Sequence, residues 1–231
     1  MSRLLIGFIP YTLATVTHVG ALAVGAHDLA QPTKLILMPL LAFAVAWGVN
    51  RSWTPVHTVL VAAIALSWLG DGAGTFFPGL PTVPMMLAFF GLAHLCYIWL
   101  FWRMLPRRRV PLWALVYAVW YVALLAVLWQ SLGALLVPVA LYGLVLGATA
   151  VGAARCHPLV AWGGLFFLTS DSVLAFRLFQ PDALPDWASP LVMATYCLGQ
   201  GLIAAGVIVS TRRPRTSTGG DEAPTVVEVP A

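Results

Sequence analysis

Apolar runs close to the length of a bilayer crossing recur along the chain as far as about residue 210, broken by short polar or Pro/Gly-bearing segments. A helix needs about 20 such residues to span the hydrocarbon core. On that measure the pattern predicts eight spans, at about 4–25, 33–49, 56–71, 84–102, 112–129, 134–154, 159–179 and 188–210. The predicted connectors are Gln31-Pro32, Trp53-Thr54-Pro55, Phe77 to Pro81, Pro111, Ser131 to Gly133, His157-Pro158 and Pro181 to Pro190. Proline and glycine punctuate helices there. The expected fold class is all-α: a polytopic bundle of eight transmembrane helices over 1–210. A polar, Pro/Gly-rich tail over 211–231 is expected to be disordered. Arg3, the apolar run after it and Ala21-Leu22-Ala23 loosely imitate a secretory leader. The run from Leu4 to Val24 is longer than a leader's apolar core and about right for a span, so a retained first helix is expected.

Charge sorts on the same frame. Cytoplasmic connectors collect Lys and Arg. With both termini cytoplasmic, the inner side holds Arg3, Arg51, Arg103, Arg107, Arg108, Arg109, Arg155, Arg212, Arg213 and Arg215, ten of the twelve basic residues. The outer side holds Lys34 and Arg177 with Asp28, Asp182 and Asp186. A wrong number of spans would scramble that segregation. Composition agrees: 61% of residues are hydrophobic and 9% charged, and mean hydropathy is +0.91, against about 25% charged in soluble domains. The basic residues lie between spans and form no patch for nucleic acid. Cys96, Cys156 and Cys197 have no CxxC or CxH spacing, which argues against a disulfide framework and a structural zinc site. The five histidines lie on different segments without metal spacing. No metal or cofactor is expected.

Against this apolar background two acids stand out, Asp71 in Ser67-Trp68-Leu69-Gly70-Asp71-Gly72-Ala73-Gly74 and Asp171 in Ser170-Asp171-Ser172. A carboxylate at a span's centre costs roughly 2.5–3.5 kcal/mol even on insertion scales, so such residues usually face a bundle interior and act there. They are 100 positions apart, each late in the third helix of a four-helix half, a faint parallel repeat that puts both on one membrane side. His94, Tyr196 and Gln200 fall at a similar depth, and a polar set at one depth reads as a cavity lining. His94 and Tyr97 are one turn apart, as are Tyr196 and Gln200, so each pair presents two hydrogen-bonding groups on one face. Arg177 follows Asp171 by six residues, about 240° around an ideal helix, and is free to meet another group. It and Lys34 suit an anionic head group or snorkel to the interface. The tryptophans suit interfacial belts, and Arg103 to Arg109 are most simply a topology signal.

The motifs Thr33-Lys34, Leu69-Gly70-Asp71, Ala93-His94-Leu95-Cys96-Tyr97, Ser170-Asp171-Ser172 with Leu174-Ala175 and Arg177-Leu178-Phe179, and Thr195-Tyr196 with Gln200 and Leu202-Ile203 follow one another in register. Over about residues 30–206 the chain resembles the YhhN-like lysoplasmalogenase family of small eight-helix membrane proteins. Two departures stand against the family pattern. Leu35 follows Thr33-Lys34 where a proline is usual, with Pro39 later; and Gly72-Ala73-Gly74 follow Asp71 where bulky apolar residues are usual, which should loosen the pocket there. The resemblance implies an integral, multi-pass membrane protein, in the cell membrane if bacterial. It also implies hydrolysis of the vinyl-ether bond of a lysoplasmalogen, giving a fatty aldehyde and a glycerophospho-alcohol. Enol-ether hydrolysis needs a protonated carboxylic acid and a second carboxylate to stabilise the oxocarbenium ion and activate water. The implied roles are Asp171, expected to be the more buried, as acid and Asp71, nearer the surface, as base or stabiliser, with the reverse also open. His94, Tyr97, Tyr196 and Gln200 would bind substrate, orienting water or the sn-2 hydroxyl, and Lys34 or Arg177 would hold the phosphate. The partners implied are a lysophospholipid and membrane lipids.

Two other classes fit the same residues. An intramembrane carboxylate pair also suits a proton-coupled transporter or binding protein for lipids or small amphiphiles, or a hydrolase of another ether or epoxide lipid. Proton coupling can survive Asp→Glu, whereas acid catalysis at carbon should not tolerate a shift of about 1 Å. A scaffold would leave the buried acids unexplained.

Overall fold

A computed structural model describes residues 2–49, 53–106 and 108–212. The tail expected from residue 211 lies outside these beyond residue 212, as do Arg51, Arg107, Arg213 and Arg215 of the charge pattern. The described residues form α-helices and short 3₁₀ or π turns, without strands. The helices are α1 (Ser2–Ala23), α2 (His27–Val49), α3 (Pro55–Asp71), a single turn α4 (Ala73–Phe76), α5 (Thr82–Trp99), α6 (Val116–Leu132), α7 (Leu136–Ala154), α8 (Pro158–Phe179) and α9 (Ala188–Thr211). Six helical stretches are long and apolar enough to cross a membrane, and α3 is a shorter apolar helix. One stretch, Leu112–Ala154, holds both α6 and α7. It doubles back at Gly133, whose φ of 50° lies in the region other residues avoid. Tyr121 on α6 accordingly reaches the Ala140 carbonyl and packs at Gly143 of α7. The protein is a multi-pass membrane protein.

The helices sit within a few residues of the predicted spans, with one correction. Gln31-Pro32 is not a connector: α2 begins at His27 and runs through Pro32 and Pro39. The turn lies earlier, at Val24 to Ala26, where Gly25 takes φ 73°. Ala26 N–H reaches the Ala21 carbonyl at 2.8 Å and Gly25 N–H the Leu22 carbonyl at 3.3 Å. That pair of bonds caps α1 with a Schellman motif, which a glycine can form without strain. Lys34 therefore stands two turns into α2 rather than at its mouth.

Pro39 has a structural consequence of its own. Lacking an N–H, it leaves the Leu35 carbonyl without its helical donor. Trp68 of α3 supplies one, its Nε1 donating to Leu35 O at 2.8 Å. Phe76 of α4 packs edge-on against the Trp68 ring, with centroids 4.8 Å apart. The α2–α3 contact is thus fixed beside Lys34 and one turn before Asp71.

The closest helix pair is α8–α9, an antiparallel seam of glycines. A Cβ on Gly163 would stand 2.8 Å from the Gly199 carbonyl oxygen, one on Gly199 2.9 Å from the Phe167 nitrogen, and one on Gly206 2.9 Å from the Val160 nitrogen. Small residues let helix backbones touch where lipid gives no hydrophobic drive to pack. Of the candidate spans α9 is the most enclosed, 67% of its apolar window lying inside the protein. Most of the side chains it carries consequently face other helices, Leu198 being half exposed.

Candidate active site

Two polar clusters form inside the bundle, each around one aspartate. In the first, Asp71 ends α3 and lies 3.8 Å from the Lys34 ammonium of α2. Tyr196 of α9 donates its hydroxyl to Asp71 Oδ2 at 2.8 Å. Behind it, Gln200 donates to the Tyr196 hydroxyl at 3.5 Å and to Ser67 Oγ at 3.1 Å, and its Oε1 accepts from the Tyr97 hydroxyl at 2.5 Å. Tyr97, Gln200 and Tyr196 thus donate in one direction towards Asp71, a chain in which each bond strengthens the next.

In the second cluster Asp171 of α8 accepts a hydrogen bond from the Tyr142 hydroxyl of α7. His94 Nε2 of α5 lies 3.7 Å from the same carboxylate oxygen and 3.3 Å from the Tyr142 hydroxyl. His94 Nδ1 meets Thr149 Oγ1 at 3.2 Å. The flanking serines lock this segment: Ser170 donates to the Val192 carbonyl of α9 at 3.0 Å, and Ser172 accepts from Trp120 of α6 at 2.9 Å. Successive helical residues point about 100° apart, so Ser170, Asp171 and Ser172 reach three different neighbours. Phe167 lies between the clusters, its ring edge-on to His94 at 4.8 Å and to Tyr196 at 5.5 Å.

Each cluster opens on its own cavity. Asp71, Lys34 and Arg177 line one of about 510 Å³, together with His18, Gln31 and Thr75. Asp171 and Tyr142 line a narrow one of about 60 Å³, walled by Phe90, Trp120, Leu124 and Leu146. Leu174 borders both. Polar and apolar compartments therefore meet at α8, between the two acids.

Several expectations change here. The side chain of Asp71 is 5% exposed and that of Asp171 9%, so Asp171 is not the more buried. Of the glycines around Asp71, Gly74 lines the polar cavity, but Gly70 and Gly72 seat aromatic rings and do not loosen the pocket. A Cβ on Gly70 would stand 2.7 Å from Phe90, and one on Gly72 2.2 Å from Phe76. His94 and Tyr97 share α5 but serve different acids, His94 reaching Asp171 and Tyr97 reaching Gln200. Tyr196 and Gln200 stay together beside Asp71. Arg177 is placed on the polar cavity with Lys34, not against Asp171. Sequence reasoning passed over Tyr142, Thr149, Ser67 and His18. Tyr142, alone in an apolar run, carried a usable signal, because a phenol inside lipid must find a partner.

Among the described residues no group of three or more His, Cys, Asp or Glu could hold a metal ion. Burial pushes the Cys156 thiol, in the turn between α7 and α8, up to about 11, which makes it a poor nucleophile. The two clusters present carboxyl, phenol and imidazole groups.

The chain matches the YhhN family over residues 29–207. It is 28% identical over 186 residues to lysoplasmalogenase TMEM86B of Rattus norvegicus, covering 79% of this chain and 73% of that protein. It is 32% identical over 157 residues to lysoplasmalogenase TMEM86B of Homo sapiens, covering 66% of this chain and 64% of that one. No solved structure matches it. The family match takes in both acids and their partners on α2, α3, α5, α7, α8 and α9, and the chain belongs to the YhhN family.

Proposed function

We propose that the protein is a lysoplasmalogenase-like hydrolase, with eight spans and both termini cytoplasmic, which cleaves the vinyl-ether bond of a lysoplasmalogen by carboxyl acid/base catalysis. The observation that carries this reading is the pairing of cavities: an acid beside two cations in a polar chamber, and an acid in an apolar cleft next to it. A lysoplasmalogen has the same polarity along its length, from phosphate through glycerol to enol ether and alkyl chain. The names of the rat and human relatives point to the same substrate class.

In the proposed mechanism Lys34 and Arg177 hold the phosphate, and the alkenyl carbons next to the ether oxygen lie in the apolar cleft. Asp171 then faces the β-carbon, which belongs to the chain side of the enol ether. It transfers its proton there, and the C=C electron pair forms the new C–H bond, leaving an oxocarbenium ion. Asp71, on the polar side, stabilises that cation and removes a proton from the water that adds to it. The resulting hemiacetal collapses as Asp71 gives its proton to the departing glycerol oxygen and Asp171 takes the hydroxyl proton, so that the carbon–oxygen bond breaks to a fatty aldehyde and a glycerophospho-alcohol and both acids return to their starting states. This assignment rests on position along the substrate, since burial does not separate the two acids. Tyr142 and His94 would orient Asp171, while Tyr196, backed by Gln200 and Tyr97, would orient Asp71.

Isotopes test the bond chemistry. In deuterated water the aldehyde should gain one solvent deuterium at the carbon next to its carbonyl, and in ¹⁸O water the glycerophospho-alcohol should stay unlabelled. Aldehyde without solvent deuterium would rule out carbon protonation. A transporter using the same acids would release no aldehyde at all.

A further inference from the structure

His18 of α1 is 2% exposed, and its Nε2 has no hydrogen-bond partner. It lines the cavity of about 510 Å³ that also holds Lys34, Asp71 and Arg177. A buried polar atom left unpaired costs on the order of 1–3 kcal/mol, so an orphan nitrogen on a residue that borders a chamber points to a ligand. His18 also lies outside the stretch that matches the family.

The other ring nitrogen shows what the orphan can do. His18 Nδ1 is 3.0 Å from Thr33 Oγ1. The single Thr33 hydroxyl hydrogen is already directed back to the Leu29 carbonyl at 2.6 Å and the Ala30 carbonyl at 3.1 Å. Used there, the hydrogen leaves Oγ1 to accept from His18, an arrangement in which Nδ1 carries the ring hydrogen. A neutral imidazole with its hydrogen on Nδ1 leaves a lone pair on Nε2. With Lys34 and Arg177 on the same cavity, the neutral ring is the electrostatically consistent state. Nε2 is thus a buried acceptor awaiting a donor.

We infer that His18 Nε2 accepts a hydrogen bond from the free sn-2 hydroxyl of a glycerol lysolipid, so that His18 selects lysolipids over their 2-acyl counterparts. The inference rests on the lysolipid reading of this cavity. A hydroxyl fits better than an ammonium because two cations already share the chamber. It fits by position too: the sn-2 carbon lies between the phosphate-bearing arm, matched to Lys34 and Arg177, and the enol-ether arm, matched to the two acids. The sn-2 hydroxyl therefore belongs to His18 and not to His94, Tyr196 or Gln200, whose polar atoms are paired within the protein. A 2-acyl lipid offers no hydrogen there and adds bulk.

Binding of saturated 1-O-alkyl lysolipids to the purified full chain in detergent tests this without any need for hydrolysis. Three compounds are compared, the free 2-hydroxyl, the 2-deoxy and the 2-acyl form, each with choline and with ethanolamine head groups. The wild type should prefer the hydroxyl compound over the deoxy compound by roughly 10–100-fold, the worth of one buried hydrogen bond, with both head groups. His18→Leu should level the two, and His18→Gln, which keeps an acceptor, should restore part of the preference. Equal binding of hydroxyl and deoxy compounds by the wild type overturns the inference, as does an unchanged preference in His18→Leu. A preference confined to ethanolamine lipids assigns the donor to the ammonium and overturns it as well. Binding with the expected preference but no aldehyde from a lysoplasmenyl lipid would refute the hydrolase and leave the hydroxyl site standing. Failure to bind any of the lipids would overturn both.

Discussion

At the scale of single residues, each acid is held by neutral donors that come from other helices. Tyr196 reaches Asp71 from α9, and Tyr142 reaches Asp171 from α7. Leaving a buried carboxyl group without its donor costs about 1–3 kcal/mol. Tyr196→Phe and Tyr142→Phe are each expected to lower kcat/KM for a lysoplasmenyl lipid by roughly 10–100-fold, measured as aldehyde release at low substrate. Arg177→Met should act differently, raising KM for the phospholipid but not for an alkenyl glycerol without phosphate, whereas Lys34→Met also removes the cation 3.8 Å from Asp71 and should lower turnover of both. Equal losses on both substrates in Arg177→Met would remove that cation from head-group binding. The acids were legible in the sequence because charge inside an apolar run is costly. Their partners were less so: Tyr142 signalled only that its phenol needed some partner, and a threonine on a helix of mixed small and apolar residues, such as Thr149, looks like any packing residue until helices are brought together. His18 was hidden for a further reason, since the motifs that carry the resemblance begin after α1.

At the scale of helices, glycine and proline set the geometry on which the site depends. Gly163→Ala would drive a methyl group to 2.8 Å from a backbone oxygen across the α8–α9 seam. Such overpacking costs about 1–3 kcal/mol and should lower the thermal midpoint in detergent. Gly147→Ala is the control, with its nearest neighbour 3.9 Å from the added Cβ, and should be neutral. Trp68→Phe keeps the apolar ring but strands the Leu35 carbonyl that Pro39 leaves open, for a loss of about 1–3 kcal/mol. Because that bond lies beside the Lys34–Asp71 pair, the same variant should lose activity even where it remains folded. The positions of the long helices were readable from hydropathy alone, but the start of α2 was not. Proline at residue 32 reads as a break, whereas the actual break uses Gly25, and three residues of turn suffice once a glycine supplies the left-handed cap.

At the scale of the molecule, the bundle sorts its interior by polarity. The cationic chamber and the apolar cleft share Leu174 and carry one acid each, and no single helix holds both acids. The proposed eight spans, with basic residues gathered on one side, predict that reporters fused at either end of the chain are both cytoplasmic. Opposite locations would require an odd number of crossings. Hydropathy and charge could suggest that count, but not how the acids are shared between compartments, which depends on the α8–α9 seam and the α2–α3 lock. The most direct test of the central claim is aldehyde release from a lysoplasmenyl lipid by the purified wild type beside folded Asp71→Asn and Asp171→Asn. Acid–base groups contribute about 10²–10⁴-fold, so wild-type release with at least a hundredfold loss in both variants is expected. Release retained in either variant would contradict the two-carboxyl account, and none from the wild type would contradict the hydrolase itself.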